Sequence, residues 1–188
     1  MPMTPPLRIR DQPLPYVAKL QARDVADVDL MVIHCTELPD LATARSYGKR
    51  SVHPSGTGNS GHYYIDRDGS VFRYVPDARV AHHVRGHNEH SLGIELVNMG
   101  RWPDWLDSRK QAMTELYPDA QIDALITLIA HLRTGLPNLR HIAGHEDLDT
   151  AMVAASDDTS RQVHRKLDPG PLFPWPCVMA ECGLQRLR

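Results

Sequence analysis

A short, unbroken apolar run at residues 30–35, LMVIHC, constrains the fold of this chain more than any other feature. Because it has no polar alternation, it is typical of a strand buried on both faces, inside a sheet that helices cover. His34 stands near the end of the run, where a strand side chain can reach a cleft. Side chains alternate along a strand, so Cys35 points to the opposite face and is expected in the core.

Other patterns predict further strands and two helices around this strand. Alternating aromatic and β-branched residues flank Asp68-Gly69, which indicates a β-hairpin. Apolar residues at helical spacing predict a helix over residues 119–134, with Pro118 before it and Gly135 after it. The remaining expectations are a short helix at 40–49, a loop at 51–61, and strands at 91–98 and 140–144. Together these elements predict the α/β class, with a mixed central β-sheet flanked by helices.

Length and charge limit the classes of protein to which the chain can belong. Its 188 residues are 41% hydrophobic and 23% charged, which suits one globular domain. A net charge of −2 argues against nucleic acid or an anionic membrane surface as a partner, since both attract clustered positive charge. The longest apolar helix pattern, at 122–132, is too short for a transmembrane segment. We predict an extended N-terminal arm at 1–28, the domain at 29–176 and a C-terminal tail at 177–188.

Two observations bear on the compartment. The N-terminal sequence MPMTPPLRIRDQPLPY lacks the apolar segment of a secretory signal. The three cysteines, Cys35, Cys177 and Cys182, form no disulfide framework, which favours a reducing environment. We therefore expect a cytoplasmic location, and the alternative is the periplasm or cell envelope if a signal has been removed. The sequence makes no prediction of the oligomeric state.

Histidine is unusually frequent, with eleven residues in the chain, and this raises the expectation of a metal site. The candidate ligands are His34, His145 in the segment AGHEDLDT, and Asp168 before Pro-Gly-Pro. Two imidazoles and one carboxylate can hold a Zn²⁺ ion and leave a fourth position for water, as in zinc hydrolases. Each residue alone has a simpler interpretation, because isolated histidines are usually core or surface residues and Asp-Pro-Gly usually forms a turn. Only their combination favours one zinc ion.

Two further residues are candidates for catalysis. Glu95 lies among apolar residues of the strand at 91–98, so it either faces water or sits in a pocket. In a pocket its pKa rises, which suits a general acid and base. Lys166, two residues before Asp168, lies beside the metal if this loop is extended, and its ammonium group could stabilise an oxyanion. The simpler alternatives are an exposed carboxylate and a solvated lysine.

Five sequence blocks, in order, resemble those of the zinc N-acetylmuramoyl-L-alanine amidases. The blocks are MVIHCTE, SGHYYIDRDGSVFRYVPD, VAHHVRGHNEHSLGIELVN, IAGHED and RKLDPGPLFPW, which together span residues 31–175. This is the amidase-2 family, which shares its fold with phage T7-type lysozyme amidases and peptidoglycan recognition proteins. The resemblance implies that His34, His145 and Asp168 are the zinc ligands. It also implies that Glu95 and Lys166 act on the substrate.

The resemblance extends to substrate and function. It implies that His83 and Asn88 contact the substrate, although each could instead be a polar residue that caps a loop. The implied activity is hydrolysis of the amide between the lactyl group of N-acetylmuramic acid and L-alanine, in peptidoglycan or in soluble muropeptides. Two alternatives are a non-catalytic module that binds peptidoglycan and a protein in which zinc is only structural.

The chain departs from the family pattern at two places. The phage-type members have a catalytic tyrosine where this chain has Gly61, so acid and base catalysis is expected to rest on Glu95. The segment between His145 and Lys166 is longer than the usual link, and we expect the insert at 148–164 to line the rim of the cleft. This segment also contains rival metal ligands, but the intact Lys-x-Asp-Pro-Gly pattern favours Asp168. The rivals are Glu146, Asp147, Asp149 and His164.

Overall fold

A seven-stranded mixed sheet forms the centre of the computed structural model, which describes residues 7–188. The first six residues of the predicted N-terminal arm, 1–6, lie outside the described residues. The strands of the described chain are β1 (Ile9–Asp11), β2 (Leu30–Cys35), β3 (Tyr63–Ile65), β4 (Val71–Arg73), β5 (Ser91–Leu96), β6 (His141–Gly144), β7 (Met152–Ala154), β8 (Gln162–His164) and β9 (Gln185–Arg186). The large sheet has the spatial order β1-β4-β3-β5-β2-β6-β9, and β7 pairs with β8 in a separate hairpin.

Strand β2 lies inside the sheet, as its apolar sequence predicts. It pairs in parallel with β5 on one side and with β6 on the other, and all six of its residues are buried. The predicted hairpin around Asp68-Gly69 is also confirmed, because β3 and β4 pair antiparallel. Since parallel and antiparallel pairs occur together, the sheet is mixed.

Four α-helices occur within residues 7–188: α1 (Leu41–Gly48), α2 (Asp119–Gly135), α3 (His145–Leu148) and α4 (Trp175–Cys182). Helices α1 and α2 confirm the two predicted helices. The sequence analysis missed the other two, because α3 is a single turn and α4 is a short segment that begins with Trp175-Pro176. Three 3₁₀ helices complete the regular structure: Val17–Lys19, Val25–Asp27 and Asn88–His90.

The two faces of β2 have different surroundings. Met31, Ile33 and Cys35 pack in one core cluster with the apolar residues of α2, including Leu125 and Ile129. Each fully buried aliphatic side chain of this kind contributes about 1.5–3 kcal/mol of transfer free energy. Cys35 is therefore in the core, as expected. The alternate residues of β2 point away from α2, and His34 belongs to this second face.

The ends of the described chain supply the edges of the sheet. Strand β1, in the predicted arm, pairs with β4, and β9, in the predicted tail, pairs with β6. The division of the chain into arm, domain and tail stays a prediction. Among the described residues, no helix combines the length and apolar character that a membrane crossing requires.

Candidate metal centre and cavity

Three buried side chains from distant parts of the chain meet at one point. The Nδ1 atom of His34 lies 3.0 Å from Nδ1 of His145 and 3.0 Å from Oδ2 of Asp168. His145 Nδ1 lies 3.1 Å from the same carboxylate oxygen. Within residues 7–188, this is the one group of three or more His, Cys, Asp or Glu side chains close enough to share a metal ion. The structure thus brings together the three residues that the sequence predicts as ligands.

The topology of the sheet explains how these residues meet. Ile33 on β2 is in register with Gly144 on the parallel strand β6, so the next residues, His34 and His145, lie at the same edge of the sheet. The loop with Asp168 packs against this edge, where Glu146 N–H donates to the Asp168 carbonyl at 2.9 Å. A Cβ atom at Gly144 would lie 2.9 Å from Pro169 Cδ, so the glycine allows this close approach.

The donor set fits a divalent cation. Two imidazole nitrogens and one carboxylate oxygen bring three lone-pair atoms together in a site from which water is largely excluded, and a cation relieves their mutual repulsion. The second carboxylate oxygen, Asp168 Oδ1, is buried without a hydrogen-bond partner. A tetrahedral zinc ion with bonds of about 2.0–2.1 Å would hold its ligand atoms about 3.3 Å apart, close to the separations of 3.0–3.1 Å found here.

Electrostatics favours the ligating protonation states of His34 and Asp168. Burial, together with the neighbouring His145, lowers the pKa of His34 to about 4, so its imidazole is neutral at physiological pH. Burial opposes ionisation of Asp168, but the adjacent imidazoles outweigh it and hold the pKa of that carboxyl well below its usual range. Neutral imidazoles and an ionised carboxylate are the forms that ligate zinc.

Glu95 lies beside the cluster on the neighbouring strand. It is in register with His34 across the β2–β5 pair, so the two side chains leave the same face of the sheet. Burial and the negative charge of Asp168 raise the pKa of Glu95 to about 8, although Lys166 acts in the opposite direction. A carboxyl group with a pKa near neutrality can both accept and donate a proton.

Gly61 makes the position of Glu95 possible. A Cβ atom at residue 61 would lie 2.7 Å from Glu95 Cγ and 3.1 Å from the carbonyl oxygen of Gly93. A tyrosine at this position, as in the phage-type members, would therefore displace the glutamate from its present position. Gly61 stands where the phage-type members have their catalytic tyrosine, and its lack of a side chain leaves the space that Glu95 occupies.

One cavity of about 710 Å³ contains every residue that the sequence analysis proposed for the site. The residues His34, His83, Asn88, Glu95, His145, Lys166 and Asp168 all line it. Asn88 Oδ1 accepts hydrogen bonds from the backbone N–H groups of His83 and Val84, at 2.9 and 2.8 Å. This is the loop-capping arrangement that was the alternative for Asn88, and its contact with substrate stays a prediction.

Two of the four rival ligands have other partners. Asp147 accepts from the backbone N–H of Gly144 and forms an ion pair with Arg186. Asp149 forms an ion pair with Arg165, and its Oδ2 lies 3.9 Å from Nε2 of His145, on the side of that ring away from the cluster. Among the described residues, the metal-binding group includes neither of them, nor Glu146 or His164.

The insert at 148–164 folds into the β7–β8 hairpin. Of its residues, Asp149 lines the cavity, while the strands of the hairpin do not. The insert instead packs beside the segment at 106–108, where Ser156 N–H donates to the Leu106 carbonyl at 2.8 Å. The predicted lining of the cleft therefore comes from the start of the insert and from the loop that follows it.

Sequence reasoning missed a buried ion pair in the cavity wall. The Arg101 guanidinium donates to both carboxylate oxygens of Glu37, at 2.7 and 2.9 Å, and the two side chains are 1% and 8% exposed. It also donates to the carbonyls of His164 and Arg165, at 3.0 and 3.3 Å. Arg101 thus fixes the segment that leads to Lys166. Glu37 ends the MVIHCTE block, but Arg101 lies outside all five blocks, so nothing in the sequence pairs the two residues.

We expect Arg101→Met to destabilise the protein by about 3–5 kcal/mol, because it leaves the Glu37 charge buried without its partner. Urea denaturation measures this change. The matched control is Arg109→Met, which removes a guanidinium from a pair whose arginine is 69% exposed, and it should leave the free energy of unfolding nearly unchanged. Equal, small effects of the two substitutions would show that the buried Arg101–Glu37 pair contributes no more to the free energy of unfolding than an exposed pair does.

The sheet, the buried His-His-Asp cluster and the acidic residue beside it define an α/β domain whose cavity contains a candidate metal site. Residues 24–171 match the protein family described as N-acetylmuramoyl-L-alanine amidase. The chain belongs to this family.

Two relatives are similar in sequence and in structure. The chain is 34% identical over 113 residues to the N-acetylmuramoyl-L-alanine amidase AmiD of Escherichia coli K12, which is 56% of this chain and 35% of AmiD. It is 31% identical over 120 residues to the 1,6-anhydro-N-acetylmuramyl-L-alanine amidase AmpD of Enterobacter cloacae, which is 59% of this chain and 50% of AmpD. The matches thus span between a third and a half of the length of these relatives.

The solved structures agree with this assignment of the fold. A selenomethionine derivative of AmpD has a TM-score of 0.65 at 25% identity, over 92% of this chain and 93% of that chain. E. coli AmiD, in complex with the substrate anhydro-N-acetylmuramic acid-L-Ala-D-γ-Glu-L-Lys, has a TM-score of 0.60 at 25% identity, over 85% of this chain and 58% of that chain. The predicted fold, a mixed sheet of the amidase-2 type, is confirmed.

Proposed function

We propose that this chain is a zinc-dependent amidase that hydrolyses the bond between the lactyl carbonyl of N-acetylmuramic acid and the amine of L-alanine. The observation that carries the proposal is the convergence of His34, His145 and Asp168 in the cavity that also contains Glu95 and Lys166. Membership of the amidase family and the similarity to AmiD and AmpD support the choice of substrate.

Zinc is the ion that best suits this donor set. His34 Nδ1, His145 Nδ1 and Asp168 Oδ2 would hold it, and nitrogen and oxygen ligands of this kind are typical of catalytic zinc sites. When bound, zinc would polarise a carbonyl group and lower the pKa of a water molecule to about 7. Three protein ligands leave room for both, whereas a structural zinc site usually has four.

Glu95 moves the proton. Its carboxylate accepts a proton from the water molecule that attacks the lactyl carbonyl carbon. It then returns that proton to the nitrogen of L-alanine as the carbon–nitrogen bond breaks, because an amide anion is too basic to leave. The raised pKa of Glu95 suits both halves of this exchange.

Lys166 and the cavity wall assist the reaction. Lys166 lines the same cavity. In the proposed reaction its ammonium group stabilises the negative charge that develops on the carbonyl oxygen. Arg101, through its bonds to the carbonyls of residues 164 and 165, holds the segment before Lys166 in place. His83 and Asn88 line the cavity too, and their contacts with substrate stay predictions.

The proposal extends to a soluble muropeptide as substrate and to the cytoplasm as location. AmpD is named for its action on a 1,6-anhydro sugar, and the AmiD structure contains an anhydromuropeptide. The three cysteines are free, and Cys177 is exposed, which suits a reducing compartment.

Mass spectrometry of a defined substrate tests this function. The purified protein is incubated with anhydro-N-acetylmuramic acid-L-Ala-D-γ-Glu-L-Lys, with and without a chelator. We expect the free tripeptide and the free anhydro sugar as products, loss of cleavage with the chelator, and recovery when zinc is added back. Binding without cleavage would identify a non-catalytic module instead, and unfolding on chelation would identify a structural metal.

We expect Gly61→Ala to lower turnover about 10–100-fold, because the new Cβ displaces Glu95 while the metal ligands stay in place. Steady-state kinetics and zinc analysis of the same preparation measure both quantities. Gly135→Ala is the matched control, since a Cβ at that position meets no atom within 4 Å. Unchanged turnover in Gly61→Ala would mean that the close packing of these two residues is irrelevant to catalysis.

The raised pKa of Glu95 makes the stability of the metal-free protein depend on pH. Its pKa rises from 4.5 to about 8 on folding, so its favourable contribution is complete below about pH 4.5 and is lost as the pH rises through about 8. Glutamine does not titrate. We therefore expect Glu95→Gln to match the wild-type Tm at pH 4.5 and to exceed it by roughly 10 °C or more at pH 8.5.

Differential scanning calorimetry after treatment with a chelator measures this difference. The control is Glu181→Gln, which changes an exposed glutamate on α4 and should show no such trend. A Tm difference that is independent of pH would contradict the raised pKa.

A further inference from the structure

A second histidine lies directly behind the candidate ligand His34. The Nδ1 atom of His34 faces the metal cluster, and its other ring nitrogen, Nε2, lies 3.0 Å from Nδ1 of His83. The two rings are nearly perpendicular, at 84°, and their centroids are 5.1 Å apart, a separation that fits a hydrogen bond between one edge of each ring. The His34 ring therefore contacts the other cluster residues through Nδ1 and contacts His83 through Nε2, at opposite edges of the ring.

The hydrogen bonds continue beyond His83 and end on a backbone carbonyl. His83 Nε2 lies 3.2 Å from Ser91 Oγ, and this hydroxyl donates to the carbonyl oxygen of His87 at 2.7 Å. A carbonyl oxygen only accepts hydrogen bonds. The direction of the last bond is therefore fixed, and Ser91 has no further proton to give.

The fixed direction of the Ser91–His87 bond determines which atom donates in the two bonds that precede it. Because the proton of Ser91 is used, its oxygen accepts from Nε2–H of His83. A neutral His83 with its proton on Nε2 has a bare lone pair on Nδ1, which accepts from Nε2–H of His34. A neutral His34 with its proton on Nε2 then has its lone pair on Nδ1, and this is the atom that faces His145 and Asp168.

The fold reserves space for His83. A Cβ atom at Gly93 would lie 2.6 Å from both Cγ and Nδ1 of His83, so a larger residue on this part of β5 would push the ring away from His34. Gly93, two residues before Glu95 on β5, thus leaves the space in which His83 lies. Both ring nitrogens of His83 have a hydrogen-bond partner within the protein.

We propose that His83 is a positioning residue that holds His34 in the Nε2–H tautomer and so presents its Nδ1 lone pair to the metal ion. This proposal rests on the metal centre described under the proposed function. Ligating histidines commonly donate their second N–H to a carboxylate, a carbonyl or water. In this chain the neutral imidazole of His83 accepts the second N–H of His34. Its own N–H donates to the Ser91 hydroxyl, which in turn donates to a backbone carbonyl.

Zinc affinity, measured by competition with a chromogenic chelator, is the first test. We expect His83→Ala to weaken zinc binding about 10–100-fold, the usual cost of losing such a partner of a metal ligand. His83→Asn keeps an acceptor oxygen near the Nδ1 position and should recover most of the affinity. The control is His131→Ala, which removes an exposed histidine on α2 and should bind zinc as the wild type does.

The second test reads the tautomer directly in the metal-free protein. Long-range ¹H–¹⁵N spectra distinguish a protonated from a bare ring nitrogen. We expect His34 to carry its proton on Nε2 in the wild type and in His83→Asn, and to populate both tautomers in His83→Ala. Ser91→Ala, which removes the end of the hydrogen-bond chain, should produce the same mixture at His83.

The outcomes separate this inference from the proposed function. Unchanged zinc affinity and an unchanged His34 tautomer in His83→Ala would overturn the positioning role. A wild-type protein that binds no zinc would overturn both the metal centre and the positioning role. If zinc binding depends on His83 as expected but the muropeptide is not cleaved, the proposed activity is wrong and the positioning role stands.

Discussion

Replacing Asp168 by alanine is expected to remove zinc from the protein and, with it, nearly all hydrolysis of the muropeptide. The substitution deletes one of the three proposed protein ligands and leaves two imidazoles whose Nδ1 atoms lie 3.0 Å apart. Since loss of a partner behind a ligand already costs 10–100-fold in metal affinity, loss of the ligand itself should cost more than about 100-fold. Zinc analysis by mass spectrometry and single-turnover kinetics measure the two effects.

Controls separate loss of metal from loss of fold. Asp123→Ala changes an exposed aspartate on α2 and should keep both zinc and activity. His145→Ala removes a different ligand of the same cluster and should reproduce the Asp168→Ala result, while circular dichroism shows whether each variant is folded. Full zinc occupancy with normal turnover in Asp168→Ala would mean that the carboxylate is not a ligand.

Glu95→Gln is expected to lower turnover about 10²–10⁴-fold while zinc stays bound, which is the usual share of general acid and base catalysis. Glutamine has nearly the same shape but cannot accept the proton of the attacking water or return one to the alanine nitrogen. The measurement is kcat for cleavage of the anhydromuropeptide, with zinc content determined on the same sample.

The pH profile of the same variant adds a second readout. In the wild type, one limb of the profile should report the titration of Glu95, and in Glu95→Gln that limb should disappear. The exposed Glu181→Gln serves as the matched control. If Glu95→Gln turns over within about threefold of the wild type, the proton is carried by another group and the assigned role is wrong.

Much of the fold could be predicted because its elements carry strong local patterns. The unbroken apolar run of β2, the Asp68-Gly69 turn and the periodic helix α2 each follow from a few neighbouring residues. Two helices escaped prediction, because α3 has only four residues, too few for a helical period, and α4 begins with Trp175-Pro176 directly after a proline-rich loop.

For the candidate site, the sequence predicts which residue types could bind a metal but does not show that they lie together. The residue types of His34, His145 and Asp168 suggest a metal, but they are far apart in sequence, and only the register of β2 with β6 brings the two histidines together. The roles of Gly61 and Gly93 could not be predicted from the sequence, because each glycine leaves space for a side chain from another part of the chain, Glu95 and His83 respectively. The Arg101–Glu37 pair joins residues 64 positions apart, and Arg101 lies outside every recognised sequence block.

The most direct test of the account is anomalous X-ray diffraction at the zinc absorption edge, on crystals of the zinc-loaded protein. We expect a single anomalous peak within about 2.0–2.2 Å of His34 Nδ1, His145 Nδ1 and an oxygen of Asp168, with no fourth protein ligand. A peak at any other place, or a fourth side chain that closes the coordination sphere, would contradict a hydrolytic metal centre at this position.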